Sequence, residues 1–477
     1  MKTAAGILDA TWPEWPIGGA ADDLLWGVTG GESFRAAREN SARVLRTLRA
    51  ILDADARSSA AARDFVALGA WLDADPAARD RVWADPRAYA WTRAAHELAR
   101  TGPPDTLARH LQQFKAFALG AAWLGGRDCV FEAPLGAATP FALPGTRLSV
   151  TGPSLVEITG LVGGRLCLGA AGALPLDGRG TVTPDGLALH ECPLARVDGY
   201  AVPLHPHAFS VPGLAVGEPA VRAGLAYHAR HADLVERALH LIQCHAPESF
   251  DAFRRVIRLI GLKPLAWGGF DDFSPAEMPG AFVASIFDNP FVLADHFIHE
   301  LQHNRLQLVE ESGPLFEPGA GEDARYYSPW RDKPRGLYGI FHGAYVFLGV
   351  GRFWRAVYAA GDVGARDRAY ALDRLLRLPL QLELALGVLH RHARLTTLGR
   401  SLLVEITADV ARLHRAVAGW GLPADCPALT VGEDGVYLAE TSEAGGRPLT
   451  VRAALREHLR RNEAHAQGAT LPPDWTP

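Results

Sequence analysis

Between Phe291 and Ser312 the chain reads FVLADHFIHELQHNRLQLVEES, and inside it His299-Glu300-Leu301-Gln302-His303 is an H-E-x-x-H. Histidines four apart on a helix lie ~40° from each other around its axis, so both imidazoles leave one face at a separation that suits a single metal ion. Glu300 stands beside them, where it can take a proton from a metal-bound water or orient a ligand from behind. His296 falls on the same arc. Leu293, Phe297, Leu301 and Leu308 form a neighbouring apolar stripe, so the metal face borders a core. The competing reading is a buried helix whose histidines are satisfied by hydrogen bonds, which would require a partner for every buried polar atom.

A third ligand has to come from elsewhere in the chain. A loop, GPLFEPGAGEDARYYSPWRDKPRG, leads into the apolar stretch GLYGIFHGAYVFLGVGRFWRAVYAAG, whose one histidine is His342. Gly339 and Gly343 flank it, and their missing side chains permit close helix approach. Glu383 is the alternative, a carboxylate ligand on a later helix whose His390 and His392 read as cover for the core. The loop gathers Tyr326, Tyr327, Ser328, Trp330, Arg331 and Arg335 in a short span stiffened by Pro329 and Pro334, which can hold cationic and aromatic groups in place without a regular element. A guanidinium beside a metal is what a bidentate carboxylate ligand needs, so Arg331 and Arg335 are the candidate clamps, with Tyr327, Ser328 and Trp330 as candidate neighbours in the same ligand-binding loop.

Two chemistries fit such a face. In a zinc peptidase Glu300 would be the base for a zinc-bound water that attacks a carbonyl. The usual completions are missing: Leu306 stands where the metzincin pattern has Gly, Val309 where it has His, and the stretch carrying His342 offers no Glu. In non-haem iron chemistry two or three protein ligands leave adjacent positions open for a chelating cosubstrate and dioxygen, and a cation holds the far carboxylate of that cosubstrate. A peptide-binding module without catalysis is a third possibility.

HFIHELQHNRLQL followed by YYSPWRDKPRGLYGIFHGAYVF resembles the H-E-x-x-H-type family of 2-oxoglutarate-dependent peptide β-hydroxylases, found with ribosomally synthesised peptide natural products. The resemblance runs from Phe291 to Tyr358. It implies iron(II), with 2-oxoglutarate and dioxygen as cosubstrates, and hydroxylation at the β-carbon of a residue in a precursor peptide. It further implies that His299 and His303 are the two motif ligands and that His342 matches the histidine downstream of the S-P-W-R segment. Glu300 then orients a ligand and is not a peptidase base. The choice between Arg331 and Arg335 rests on charge alone.

The elements that must carry this face follow from the rest of the chain. At 477 residues, 48% hydrophobic and 21% charged, the sequence predicts a folded protein of more than one domain. Its net charge of −5 offers no basic field for nucleic acid. The five cysteines are scattered and form no C-x-x-C, which argues against disulfides and cysteine-bound zinc and fits a reducing cytoplasm. The amino terminus, MKTAAGILDATWPEWPIGG, has no apolar core of signal-peptide length, and no stretch reaches the length of a membrane span. The expected class is α+β and mainly helical. Residues 1–128 read as a helical region with helices from Asp22 to about Ala122. Residues 129–215 read as strands and tight turns, 216–420 as the helical domain carrying the metal face, and 421–477 as a hairpin and a charged helix. His190, His205 and His207 are expected at turns, and His228 and His231 on a solvated helix face. The short strand AFVASIF before the metal helix is read as an edge to which an extended peptide could add.

Overall fold

The computed structural model describes residues 60–138, 140–152, 155–169, 172–176, 186–206, 224–265, 272–319, 324–361, 363–423, 425–432, 434–442 and 445–462. The helices expected before residue 60, and His207, lie outside the described residues. The fold is mainly helical α+β. No described helix is long and apolar enough to cross a membrane, and all five cysteines are free thiols.

The chain forms two compact units. One takes the described residues within 60–233 together with Val256–Ile286, and the other takes Leu234–Arg255 and those from Phe287 onward. The first unit opens with helices α1 (Ala60–Asp73), α2 (Pro76–Trp83), α3 (Pro86–Thr101), α4 (Pro104–Gln112) and α5 (Phe114–Gly125). The Asp-Pro pairs that break the periodicity are helix starts. The Asp75 side chain caps Ala78 N and Asp85 caps Arg87 N, each with proline at the first helical position, where its missing N–H costs nothing.

Nine short strands follow: β1 (Cys129–Ala138), β2 (Phe141–Ala142), β3 (Leu148–Thr151), β4 (Leu155–Val162), β5 (Arg165–Leu168), β6 (Gly172–Pro175), β7 (Ala188–Glu191), β8 (Leu194–Val197) and β9 (Tyr200–Pro203). They pair antiparallel as β1-β4-β5-β6, β2-β3-β7 and β8-β9. Helices and strands on the two sides of residue 128 bury one shared core, in which Trp91, Phe114 and Phe117 pack with Val150, Ile158 and Leu166. The first unit also holds β10 (Leu259–Pro264) and β11 (Ala281–Ile286), paired in parallel. β11 is AFVASI, the strand read as an open edge. It is buried at all six positions and meets β10 on one side and Phe273 on the other, so its backbone is already engaged. His228, on α6 (Leu225–His245), is fully buried, in contrast to the solvated face expected from its Arg and Ala neighbours. Its Nε2 accepts the Leu262 N–H at 3.0 Å and its Nδ1 lies 3.2 Å from the Gly224 carbonyl, so packing in three dimensions overrides the local sequence signal.

In the second unit α7 (Pro247–Val256) precedes four long helices: α8 (Pro290–Glu310), α9 (Leu337–Ala360), α10 (Ala365–His392) and α11 (Thr397–Ala418). The antiparallel pair β12 (Leu429–Val431) and β13 (Tyr437–Ala439) and then α12 (Val451–Asn462) complete it. α8 carries the H-E-x-x-H. Asn289 caps it through hydrogen bonds from Phe291 N and Val292 N, and Pro290 takes its first position. Leu306 and Val309 near its C-terminal end join residues of α9, α10 and α11 in a core that includes Phe341, Tyr345, Leu382, Leu402 and Ile406. Gly349 of α9 packs against α8, where a Cβ would stand 2.8 Å from the buried Gln302 side chain.

One charge network fixes the helix register. The Trp354 indole N–H of α9 donates to Asp295 Oδ2 at 2.6 Å, and Arg374 of α10 pairs with the same oxygen at 2.9 Å. Asp295 is 6% exposed, so removing it leaves a guanidinium buried beside it without its counter-charge. Asp295→Ala should therefore destabilise the protein by about 3–5 kcal/mol in denaturant unfolding. A loss below about 1 kcal/mol would show that the network does not hold the helices in register.

Candidate metal centre

One turn beyond Asp295, α8 brings His299, Glu300 and His303 together, with one ligand atom from each lying within 4.8 Å of the others. The two imidazole rings are 4.9 Å apart between centroids and steeply inclined, at 68°. Two imidazoles bound to one ion at about 2.1 Å through nitrogen, at roughly right-angled to tetrahedral geometry, would have centroids about 5 Å apart. Glu300 is 1% exposed, whereas both histidines are half-buried.

Neither of these rings has a hydrogen-bond partner among the described residues. That is the opposite of the competing sequence reading, in which buried histidines are satisfied internally. Burial, followed by the neighbouring imidazoles of His303 and His296 and the guanidinium groups of Arg374 and Arg331, holds His299 well below its ordinary pKa. Burial, then His342, Arg331 and Arg335, lowers His303 from 6.5 to about 3. Both rings are thus neutral, unpartnered nitrogen donors at physiological pH, the form that binds a divalent ion. The residues present fit a metal.

His342 stands next to this group but does not join its converging atoms. Its ring is 5.8 Å from that of His303. Its Nε2 lies 3.3 Å from Glu310 Oε2, yet this buried nitrogen makes no hydrogen bond among the described residues. Tyr338, one turn earlier on α9, lays its ring 4.2 Å from His342 and donates its hydroxyl to the same Glu310 oxygen at 2.9 Å. A carboxylate at this distance stands where it can orient the imidazole, which leaves His342 beside the converging group and not within it. Glu310 escaped the sequence reading although the signal was present: it lies two turns beyond His303 on the same helix face.

The alternative ligand Glu383 is elsewhere. It is exposed on α10 and its carboxylate lies 3.7 Å from His414. His390 bonds Thr407 at 3.0 Å, and the His392 ring packs on Tyr326.

The S-P-W-R loop is closed at its base by a two-way backbone bridge, Tyr326 N to Arg335 O at 2.8 Å and Arg335 N to Tyr326 O at 2.9 Å. Gln381 of α10 holds it from below by donating to the Pro329 carbonyl at 2.7 Å. Trp330 seats its ring over Gly343, where a Cβ would meet the indole at 2.5 Å, and stacks on Phe347 at 4.9 Å and 15°. Phe347 in turn presents its ring to His299 at 4.9 Å and 73°. Gly343 therefore makes room for a tryptophan, and Gly339 for the Arg335 side chain; neither serves the helix contact expected of them.

Of the loop residues expected to line the site, Trp330 reaches it through Phe347, and Arg331 acts on both histidines. Arg335 acts on His303 alone. Tyr327 is fully buried in an apolar cluster with Leu384, Val451 and Leu455. Ser328 is buried at 2%, and its carbonyl accepts the Arg331 N–H at 3.4 Å to close the turn. Arg374, absent from the sequence reading, is committed to Asp295.

Two outcomes follow for metal binding. His299→Ala and His303→Ala should each weaken divalent-metal affinity by at least about a hundredfold in a competition titration, since each removes one of two converging imidazoles. In the unaltered protein, affinity should change less than about threefold between pH 7.5 and 6.0, where two ordinary imidazoles would lose roughly tenfold to protons. A tenfold loss would contradict the neutral state of these rings.

Comparison of the chain with known proteins finds no protein family and no curated relative that matches it.

Proposed function

We propose that the chain is an iron(II)- and 2-oxoglutarate-dependent oxygenase that hydroxylates the β-carbon of a residue in a ribosomally synthesised precursor peptide in the cytoplasm. The observation that carries this reading is the company Arg331 keeps. Its charge bears on both His299 and His303, two imidazoles without hydrogen-bond partners among the described residues, which makes it the candidate to receive the far carboxylate of a dicarboxylate bound there. The resemblance over Phe291–Tyr358 supplies the reaction class.

Iron(II) in this site would couple oxidative decarboxylation of 2-oxoglutarate to insertion of one oxygen atom of dioxygen into a C–H bond. The chain's own residues have simpler tasks. His299 and His303 would hold the ion on the α8 face, with His342, next to Glu310 and Tyr338, as the candidate third imidazole. Arg331 receives the far carboxylate of 2-oxoglutarate through charge-assisted hydrogen bonds. Trp330 and Phe347 wall the His299 side with aromatic surface, which excludes water and strengthens the electrostatics inside.

A second reading, a zinc peptidase, draws on Glu300. Its buried carboxylate belongs to the same converging set as the histidines and could serve as base for a metal-bound water. Oxygen separates the two. An oxygenase forms succinate from 2-oxoglutarate only aerobically and with iron, and its peptide gains one oxygen atom in mass. A zinc peptidase needs neither cosubstrate and leaves a cut chain.

Replacing the clamp gives a sharper result. Arg331→Leu should raise the apparent KM for 2-oxoglutarate by roughly tenfold or more, because a hydrogen bond to a charged group contributes about 1.5–3 kcal/mol. The KM for peptide should stay within about twofold, and equal effects on both would sink the assignment.

A further inference from the structure

The C-terminal segment reads as a charged helix without chemistry, yet its one well-buried imidazole touches the site loop at several points. α12 docks through Val451, Leu455 and Leu459 into the cluster that contains Tyr327 and Leu384. Its inner end is tied down by Val451 N to Cys426 O at 3.0 Å. On this docked helix His458, with only 16% of its side chain exposed, turns toward the loop that carries Arg331. The Tyr327 hydroxyl bonds its Nδ1 at 2.8 Å, with the two rings edge to face at 5.5 Å. The other side of the imidazole faces Asp332, whose Oδ1 is 3.6 Å from Nε2. One ring thus touches positions 327 and 332 and brackets the segment that carries Trp330 and Arg331. Asp332 is 86% exposed, so that pair is weak, and the Tyr327 hydrogen bond carries the grip.

Burial of Tyr327 makes the grip specific. A buried phenol needs a partner, and the described structure gives it His458. The backbone bridge between Tyr326 and Arg335 closes the loop at its base. Gln381 holds Pro329, and His458 holds the outer arm.

We propose that α12 is part of the functional site: His458 is the positioning residue that fixes the outer arm of the Tyr326–Arg335 loop and with it the guanidinium of Arg331. The claim about the carboxylate clamp rests on the proposed oxygenase reading, whereas the claim about the loop does not. Two measurements on the full chain keep them apart. Trypsin can cut after the exposed Arg331, while Lys333 is followed by proline and resists, so the rate of cleavage at Arg331–Asp332, read by mass spectrometry, reports the order of the arm directly. Binding of 2-oxoglutarate to anaerobic, iron-loaded protein reports the clamp.

His458→Ala should speed cleavage at Arg331 by about tenfold and weaken 2-oxoglutarate binding by about tenfold, with iron affinity within about twofold of the unaltered protein. Tyr327→Phe, which keeps the ring in its cluster and removes only the hydroxyl, should reproduce part of both effects. His458→Asn, whose amide can still meet the Tyr327 hydroxyl, should recover most of the loss. Unchanged cleavage and unchanged 2-oxoglutarate binding in both His458→Ala and Tyr327→Phe overturn the proposal. So does a loss of iron affinity as large as the loss of 2-oxoglutarate binding, since that is general loosening and not positioning. If the unaltered protein binds no 2-oxoglutarate, the oxygenase reading falls, and the cleavage rate alone decides whether His458 holds the loop.

Discussion

A carboxylate buried where three helices meet is the constraint on which the second unit depends. Asp295 takes the Trp354 indole hydrogen bond at 2.6 Å and the Arg374 ion pair at 2.9 Å, and each contact comes from a different helix. A charge removed from water this thoroughly tolerates only one arrangement of its partners, because any slip of α9 or α10 would leave it uncompensated. His299 stands one turn further along α8. The network therefore sets not only the packing of the helices but also the direction in which the metal face looks.

That rigidity explains how two imidazoles can be held close together without hydrogen bonds of their own. Free side chains would find water or a carbonyl. Here α8 fixes their spacing, Phe347 crowds His299, and burial with neighbouring cations keeps both rings neutral. The neutral form is suited to a metal and poorly suited to staying bare, since unpartnered polar nitrogen in a half-buried site is costly. Around this pair the structure builds outward: Glu310 and Tyr338 beside His342, Trp330 over Gly343, and the loop closed at its base between Tyr326 and Arg335.

Much of this was legible in the residues. The H-E-x-x-H face, its placement on a helix beside a core, and the change from helical to strand periodicity at Cys129 follow from spacings of two, three and four, which are local properties of the chain. What the sequence hid was long-range. Helices before residue 128 and strands after it share one core, which no local period reports. The arginines and alanines around His228 suggest solvent, although that ring receives a backbone N–H from Leu262. Gly339 and Gly343 signal that something comes close without saying what, and the occupants are Arg335 and Trp330. Tyr327 looks like its neighbours in the loop but points into a different cluster, whereas Glu310, unremarked among several acidic residues, faces the site. In each case the deciding contact is made by a residue distant in sequence.

His299 and His303 are proposed to hold one metal ion between them. Crystals of the full chain grown without oxygen and loaded with iron(II) test it most directly, by anomalous diffraction at the iron edge. The account predicts a single strong peak about 2.0–2.2 Å from one nitrogen of each of these two rings, with the His342 ring turned toward it. No peak between the two rings, or one held by other residues, would contradict it.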